Sequence, residues 1–339
     1  MFSESTERRP SAYNAPTARL IDMRPDVGNF MDDVVSGLVA SEKRIPPKYF
    51  YDDRGSALFD RITRLPEYYP TRTEIAILEE HAEDVAALLG RRWELIEFGS
   101  GTSRKVRILL DAAVGAGTYV PIDISREALR AASNQVARAY PHVRVVAVCA
   151  DYTQPLALAR QDPLARRVVF FPGSTIGNFE PEQAVGFMKN VRTSLRNGDL
   201  FIVGADLQKT PSVLHAAYND AAGVTARFNR NLLDRMNREL GATFDPRQFE
   251  HVAFYDVRRG RIEMHLRSLR EQTVRVAGIE VSFRAKETIH TENSYKYTRD
   301  GFRALAEQAG FRARDVWTDD GKLFSVWILE PAVSDLRNA

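Results

Sequence analysis

The sequence predicts an α/β protein: a largely parallel sheet with helices on both faces, joined to a second unit of α+β character. Three observations predict it. From residue 73 to residue 206, short apolar runs alternate with amphipathic segments, the pattern of strands linked by crossover helices. Residues 207 to 296 break that alternation with long helical stretches followed by strands of antiparallel character. The first strand of the alternation runs into the Gly-rich turn Gly99-Ser100-Gly101 ahead of a helix, as in folds that bind a ligand at the carboxyl edge of a sheet.

In chain order, residues 1–20 are polar, contain Pro10 and Pro16, and are expected to be disordered. A helix is expected over VGNFMDDVVSGLVA, a loop through Pro46 and Pro47, an amphipathic segment over SALFDRITRL, and an aromatic turn from Pro66 to Pro70. TEIAILEEHAEDVAALLG reads as one helix. WELIEF, TYVPID, VRVVAVCA, RRVVFFP and DLFIVGAD read as strands, with helices over SRKVRILLDAAV, REALRAASNQVARAY and PEQAVGFMKNVRTSL. The segment from Thr210 to Leu240 is helical, and RIEMHLRSLREQTVRVAGIEVSF supplies antiparallel strands. The tail adds a helix over RDGFRALAEQAG and a hairpin of ARDVWT and LFSVWIL around Asp319-Asp320-Gly321. The expected division is a second domain from residues 21–72 and 207–296, and a sheet domain from residues 73–206 and 297–332.

Composition narrows the function. Lys and Arg number 47 against 45 Asp and Glu, and the basic residues are scattered, so neither a nucleic-acid nor a membrane footprint is present. The partner expected is a small molecule, and the chain is expected to be a cytoplasmic monomer. No apolar stretch has the length of a membrane span, and the polar start lacks a signal peptide's apolar segment. The single cysteine, Cys149, lies in an apolar run and reads as a buried thiol. The six histidines show no metal-ligand spacing, so no metal is expected.

Four strand ends carry the chemistry. Glycines at the turn through Gly99 let a ligand approach the backbone, amides at the next helix start favour an anion, and Lys105 adds a positive charge nearby. TYVPID ends in Asp123, an acceptor for ribose hydroxyls, a geometry that a dinucleotide site shares. Asp151 and Tyr152, after the third strand, supply an acceptor for an adenine amine and an aromatic face for the ring. They favour an adenosyl cofactor over a dinucleotide. The fourth strand opens into Pro172-Gly173-Ser174-Thr175-Ile176-Gly177-Asn178-Phe179, with no Lys or His to act as a hydride-transfer acid.

The strings KYFYDDRGSALFDRITRLPEYYPTRTE, EFGSGTSRK, PGSTIGNF, YNDAAGVTARFNRN, RIEMHLR and TENSYKY resemble, in order and spacing, the histidine Nα-methyltransferases of the ergothioneine pathway. The likeness covers residues 45 to 330. It implies a Rossmann-like domain that binds S-adenosylmethionine (SAM), with a second α+β substrate-binding domain formed by the N-terminal part and a mid-chain insertion. The resemblance assigns Gly99, Lys105, Asp123, Asp151 and Tyr152 to SAM. It assigns Tyr68, Asn178, Tyr218, Glu292, Asn293 and Ser294 to the substrate, Phe59 and Met264 to the pocket wall, and Tyr51 to the amine that receives methyl groups.

Methyl transfer from a sulfonium to an amine needs alignment and exclusion of water rather than a metal. Tyr51 orients the amine first and relays a proton second, because an ordinary phenol, with a pKa of about 10, is a poor base at neutral pH. Glu292 and Ser294 stand two apart in an extended segment and share a face, so one accepts from an imidazole N–H while the other meets the second nitrogen. Asn178 and Tyr218 offer an amide and a phenol to the substrate carboxylate. The expected substrate is L-histidine, with its mono- and dimethyl intermediates, and the product is the trimethyl betaine hercynine. The alternatives are N-methylation of a tryptophan-like amino acid and a non-catalytic SAM-binding protein.

Overall fold

The computed structural model describes residues 17–25, 30–101 and 104–332. Strand β1 (Arg19–Asp22) comes first, followed by helices α1 (Phe30–Val39), α2 (Asp53–Ile62), α3 (Tyr69–Glu80) and α4 (Ala82–Leu89). The alternation then runs β2 (Arg92–Phe98), α5 (Arg104–Ala112), β3 (Ala116–Asp123), α6 (Arg126–Ala139), β4 (Val143–Cys149), β5 (Arg166–Phe171), α7 (Pro181–Thr193) and β6 (Leu200–Asp206). The interruption holds α8 (Pro211–Tyr218), α9 (Val224–Leu240), β7 (Phe249–Asp256), β8 (Arg261–Ser268), β9 (Gln272–Val276), β10 (Ile279–Phe283) and β11 (Thr288–Tyr295). The chain closes with α10 (Arg299–Gln308), β12 (Phe311–Thr318) and β13 (Phe324–Pro331).

Eight strands form the main sheet in the order β1-β4-β3-β2-β5-β6-β13-β12, parallel except where β13 runs against both β6 and β12. Burial on both faces explains the apolar strand sequences. Ile96, Ile122, Val148, Val169 and Phe171 pack on one side, and Leu95, Tyr119, Val145, Val168 and Phe170 on the other. The strand order reverses between β2 and β5, where crossovers leave to opposite sides and open a crevice at the carboxyl ends. The Gly99 turn and the Gly173 loop follow these two strands directly.

A separate core gathers side chains from both chain segments that flank the alternation. Phe50, Leu58, Ile62 and Tyr69 pack with Tyr218, Phe228, Leu232, Met264, Leu266 and Ile289. Here β11, β8 and β7 form a three-stranded antiparallel sheet, and β9 pairs with β10. Asp52 caps α2 by accepting from the Gly55 amide at 2.7 Å and also accepts from Asn231 of α9 at 2.8 Å, which ties the two segments together.

Several expectations need correction. The helix read from residue 73 to residue 90 is two helices, broken at His81 (φ −100°, ψ 24°), and α3 begins four residues earlier because Pro70 suits a first helical turn. Residues 19–22 are not disordered: β1 pairs in parallel with β4, so the boundary expected between residues 20 and 21 falls inside a strand of the main sheet. Residues 1–16 of that polar start lie outside the described residues, as do Thr102 and Ser103 of the Gly-rich turn. Strand β7 carried no sequence expectation; its exposed Phe254 blurs the alternation. No described helix is long and apolar enough to cross a membrane.

Candidate active site

A cleft of about 610 Å³ lies where the two cores meet. Tyr51, Phe59, Tyr68, Asn178, Tyr218, Met264, Glu292 and Ser294, far apart in sequence, all line it, together with Phe228, Thr175 and Lys296. The aromatic wall is continuous: Phe59 meets Tyr51 edge-on at 5.7 Å and Tyr68 at 6.4 Å, and Tyr68 meets Tyr218 at 6.3 Å.

A β-bulge between His290 and Glu292 decides which side chains of β11 enter. His290 pairs with His265, and Glu292 pairs with Met264, so two steps on β11 match one on β8. Met264, Glu292 and Ser294 therefore face the cleft. Asn293, expected beside the substrate, faces the opposite side, since adjacent strand residues alternate. Its amide donates to Glu180 at 3.0 Å, and its carbonyl lies 2.9 Å from His290 Nε2.

The Glu292 carboxylate makes no hydrogen bond among the described residues. Burial pushes its pKa up to about 7, against the pull of the Lys296 charge. Asn178 ends a short 3-10 turn (Thr175–Asn178) that opens at Ser174, which holds the left-handed region at φ 56°. The Ser174 hydroxyl accepts from the Asp206 amide at 2.9 Å, which fixes the turn on β6.

Several polar residues had no sequence signal. Asp206, fully buried at the end of β6, accepts from Tyr69 Oη at 2.7 Å, Lys209 Nζ at 2.6 Å and Lys296 Nζ at 2.9 Å. Burial alone would raise its pKa, but the two ammoniums outweigh that and hold the carboxyl below its usual range. Lys296 also donates to Ser294 Oγ at 2.7 Å and Tyr218 Oη at 3.0 Å, while Tyr218 donates to Ser294 at 2.7 Å.

The residues expected to hold the nucleotide cluster beside this cleft rather than within its lining. Gly99 (φ 67°) and Gly101 (φ 37°) turn the backbone, and a side-chain carbon at Gly99 would lie 3.7 Å from the Tyr152 hydroxyl. Tyr152 packs against Phe98 and Phe171, each at 5.7 Å. Burial raises the Asp123 pKa, though the Ser125, Gly101 and Ile124 amides oppose the shift. One Asp151 oxygen takes both the amide (2.9 Å) and the hydroxyl (2.6 Å) of Thr153, while the other makes no hydrogen bond among the described residues.

Lys105 is not a free charge. It pairs with Glu74, a fully buried carboxylate of α3 that also accepts from the Gly173 amide at 2.9 Å. Gly204 has no side chain because a carbon there would come 2.0 Å from Glu74 Oε1. The pair thus bridges the nucleotide side to the loop that carries Asn178. Tyr51 stands at the cleft mouth with 43% of its surface exposed. Burial of its hydroxyl end pushes its pKa well above the usual value, and the nearby carboxylates of Glu292 and Asp123 act in the same direction.

The histidines gather more than their spacing suggested: Glu263, His265 and His290 bring ligand-type atoms within 4.8 Å of one another on the side of the small sheet that faces away from the cleft. Glu263 already accepts from Arg261 at 2.6 Å and contacts His265 at 3.0 Å.

Residues 30–331 match the family model described as a SAM-dependent, histidine-specific methyltransferase. The chain is 46% identical over 292 residues to a histidine N-alpha-methyltransferase of Mycolicibacterium smegmatis, covering 85% of this chain and 90% of that one. A histidine N-alpha-methyltransferase of Mycobacterium tuberculosis is 43% identical over 299 residues, with 87% and 92% covered. Ergothioneine biosynthesis protein 1 of Neurospora crassa is 32% identical over 81% of this chain and 32% of its own greater length.

Proposed function

Because the chain belongs to the SAM-dependent, histidine-specific methyltransferases, we propose that it converts L-histidine to Nα,Nα,Nα-trimethyl-L-histidine (hercynine), the first step of ergothioneine biosynthesis, using three SAM. One observation carries the substrate choice. The bulge in β11 turns Glu292 and Ser294 into the cleft together, an acceptor and a hydroxyl set for the two nitrogens of an imidazole. An indole has one donor and no acceptor, so it satisfies only half of that pair.

In this reading Asp123 takes the ribose hydroxyls, the free Asp151 oxygen the adenine amine, and Tyr152 the ring face. SAM supplies the activated methyl. The turn through Gly99 and Gly101, with Lys105 beside Gly173, takes its methionine end. Asn178 and Tyr218 hold the histidine carboxylate, and Tyr68, Phe59 and Phe228 exclude water around the ring. Tyr51 keeps its proton at neutral pH and acts as a hydrogen-bonding partner that aims the amine. The amine's own proton leaves to solvent at the mouth. Residues from 21–72 and 207–296, apart from β1, make up the substrate domain, and the main sheet the SAM domain.

The test is direct. The protein is incubated with SAM and each of the twenty amino acids, and the products are read by mass. Histidine alone should gain one, two and three methyl groups. Trimethylation of tryptophan instead would replace the substrate assignment, and no methyl gain on any amino acid would remove it.

A further inference from the structure

Asn229 of α9 is fully buried at the centre of a hydrogen-bond chain that reaches both halves of the expected histidine site. Its neighbours settle the orientation of its amide. The backbone carbonyl of His265 on β8, 3.0 Å away, can only accept, so the atom facing it is the nitrogen. The second proton of that nitrogen points to His251 Nδ1 of β7 at 2.9 Å, which must then be bare. His251 therefore carries its proton on Nε2, which donates to the Tyr218 carbonyl at 2.9 Å in the last turn of α8. On the other side, the amide oxygen of Asn229 accepts from Thr291, the extra residue of the bulge in β11. The buried Thr291 hydroxyl has one proton, shared between Asn229 Oδ1 at 2.9 Å and the Met264 carbonyl of the facing strand at 3.0 Å. Each proton in the chain thus has an acceptor.

Building on the histidine reading, we infer that Asn229 is a positioning residue acting in two directions. Through a neutral, Nε2-protonated His251 it fixes Tyr218, expected at the substrate carboxylate, and through Thr291 it fixes the bulge that turns Glu292 toward the ring. Asn229, His251 and Thr291 do not line the cleft, so they act on the substrate only through Tyr218 and Glu292. A second proton on His251 would set two donors, its own Nδ1–H and the Asn229 amide, against each other. Burial opposes that proton, as does the Arg230 guanidinium of α9, and they hold the His251 pKa below its ordinary value although the Tyr218 carbonyl and Asp220 pull the other way.

The experiment reads the ligand-free protein first. Imidazole nitrogen chemical shifts, measured by NMR, should show His251 neutral and protonated on Nε2 from about pH 8 to about pH 6, where an ordinary histidine of pKa about 6.5 is mostly charged. Asn229→Asp keeps the shape but has no N–H, so His251 Nδ1 faces an oxygen and should take up a second proton at about pH 7, a signature that general loosening does not produce. That variant should bind S-adenosylhomocysteine within about twofold of the parent. It should bind L-histidine, by calorimetry with S-adenosylhomocysteine present, about tenfold more weakly or worse, the scale of one or two lost hydrogen bonds. If it fails to fold, Thr291→Val and Thr291→Ser carry the binding test: loss of the hydroxyl should weaken histidine about tenfold, and its retention should keep the affinity within about threefold. A parent His251 protonated on Nδ1 or charged at about pH 7, or parent-like histidine binding in Asn229→Asp or in the Thr291→Val that replaces it, overturns the inference while leaving histidine as substrate. A parent that binds S-adenosylhomocysteine but no histidine overturns the histidine reading and the inference with it.

Discussion

Glu180 and Asn293 are joined by a 3.0 Å hydrogen bond that ties the N-cap of α7 to the side of β11 facing away from the cleft. Arg261 and Tyr295 donate to the same carboxylate, at 2.7 Å and 2.5 Å. Glu180 lies two residues after Asn178, so this clamp sets the distance between the expected carboxylate and ring contacts of the substrate. Burial works against its charge, but the Tyr295 hydroxyl and the Arg261 guanidinium prevail and hold the carboxyl below its usual range. A depressed carboxyl adds stability that is complete above its unfolded pKa and is lost as pH falls through the folded value. Glu180→Gln should cost about 1 kcal/mol at pH 7, a small figure because the side chain is 45% exposed. The deficit should shrink below about pH 4, and KM for histidine should rise. Denaturant melts at both pH values check the first outcome; equal deficits would show that the charge is not what holds the loop.

Asp123→Ala should weaken SAM binding by about 1 to 3 kcal/mol, the scale of hydrogen bonds to a charged acceptor. The Asp123 carboxylate already accepts from the Ser125 amide at 2.9 Å, so some local loosening of the turn is expected too. Titration calorimetry with SAM measures the loss, and unchanged affinity would remove Asp123 from the ribose.

What the sequence revealed, and what it hid, follows from the range of the forces involved. The strands of the main sheet are apolar runs bounded by turn residues, and local pattern suffices to find them. Glu292 and Ser294 were legible because side-chain alternation is local. Asn293 was expected with them, and the same alternation turns it to the other side of the strand, where it meets Glu180. Lys296, Asp206, Tyr69 and Glu74 were missed because nothing in the local pattern around any of them marks a buried charge or its partner. Only the tertiary fold brings their charges together, across separations such as the 137 residues between Tyr69 and Asp206. Lys105 was legible as a charge near the turn, but its partner Glu74 lies on a helix whose sequence gave no reason to bury a carboxylate.

Glu292 should make the fold less stable as pH rises. Its pKa climbs from 4.5 to about 7 on folding because of burial, with Lys296 only partly offsetting the effect. A raised carboxyl costs stability progressively between those two values, because the native state must give up a proton it holds more tightly than the unfolded chain does. Glu292→Gln should therefore unfold at higher denaturant than the parent at pH 8, by about 1 to 3 kcal/mol, and with the parent near pH 4. Coincident curves at pH 8 would mean that the carboxylate is solvated in the native state.

Tyr51→Phe should lower kcat while leaving SAM affinity and the pH profile of the rate unchanged. The hydroxyl holds its proton over the working range, so its removal takes away orientation and not a titrating base. Rates across the pH range decide this: a limb of the profile that moves or vanishes in the variant would make Tyr51 the proton acceptor.

The sharpest prediction concerns the pair that shares the cleft face of β11 and β8. Glu292 stands opposite Met264, so the carboxylate expected to read the ring and the thioether expected to wall the pocket are direct neighbours on the cleft face. A buried carboxylate facing an imidazole N–H gains a charge-assisted bond of roughly 1.5 to 3 kcal/mol, but is left desolvated and unpaired against an apolar ring. Glu292→Ala should lower kcat/KM for histidine by about ten- to a hundredfold and shift the histidine-to-tryptophan ratio toward tryptophan. Met264→Val alone should do little, because enlarging the pocket leaves the charge in place. Together, the two changes should exceed the sum of their separate effects on tryptophan, as expected for neighbours that oppose the same ligand for different reasons. The ratio is the quantity to measure, since general damage lowers both activities alike. A ratio within twofold of the parent in Glu292→Ala would show that this carboxylate does not read the ring, and selectivity would then have to come from Ser294 and the aromatic wall alone.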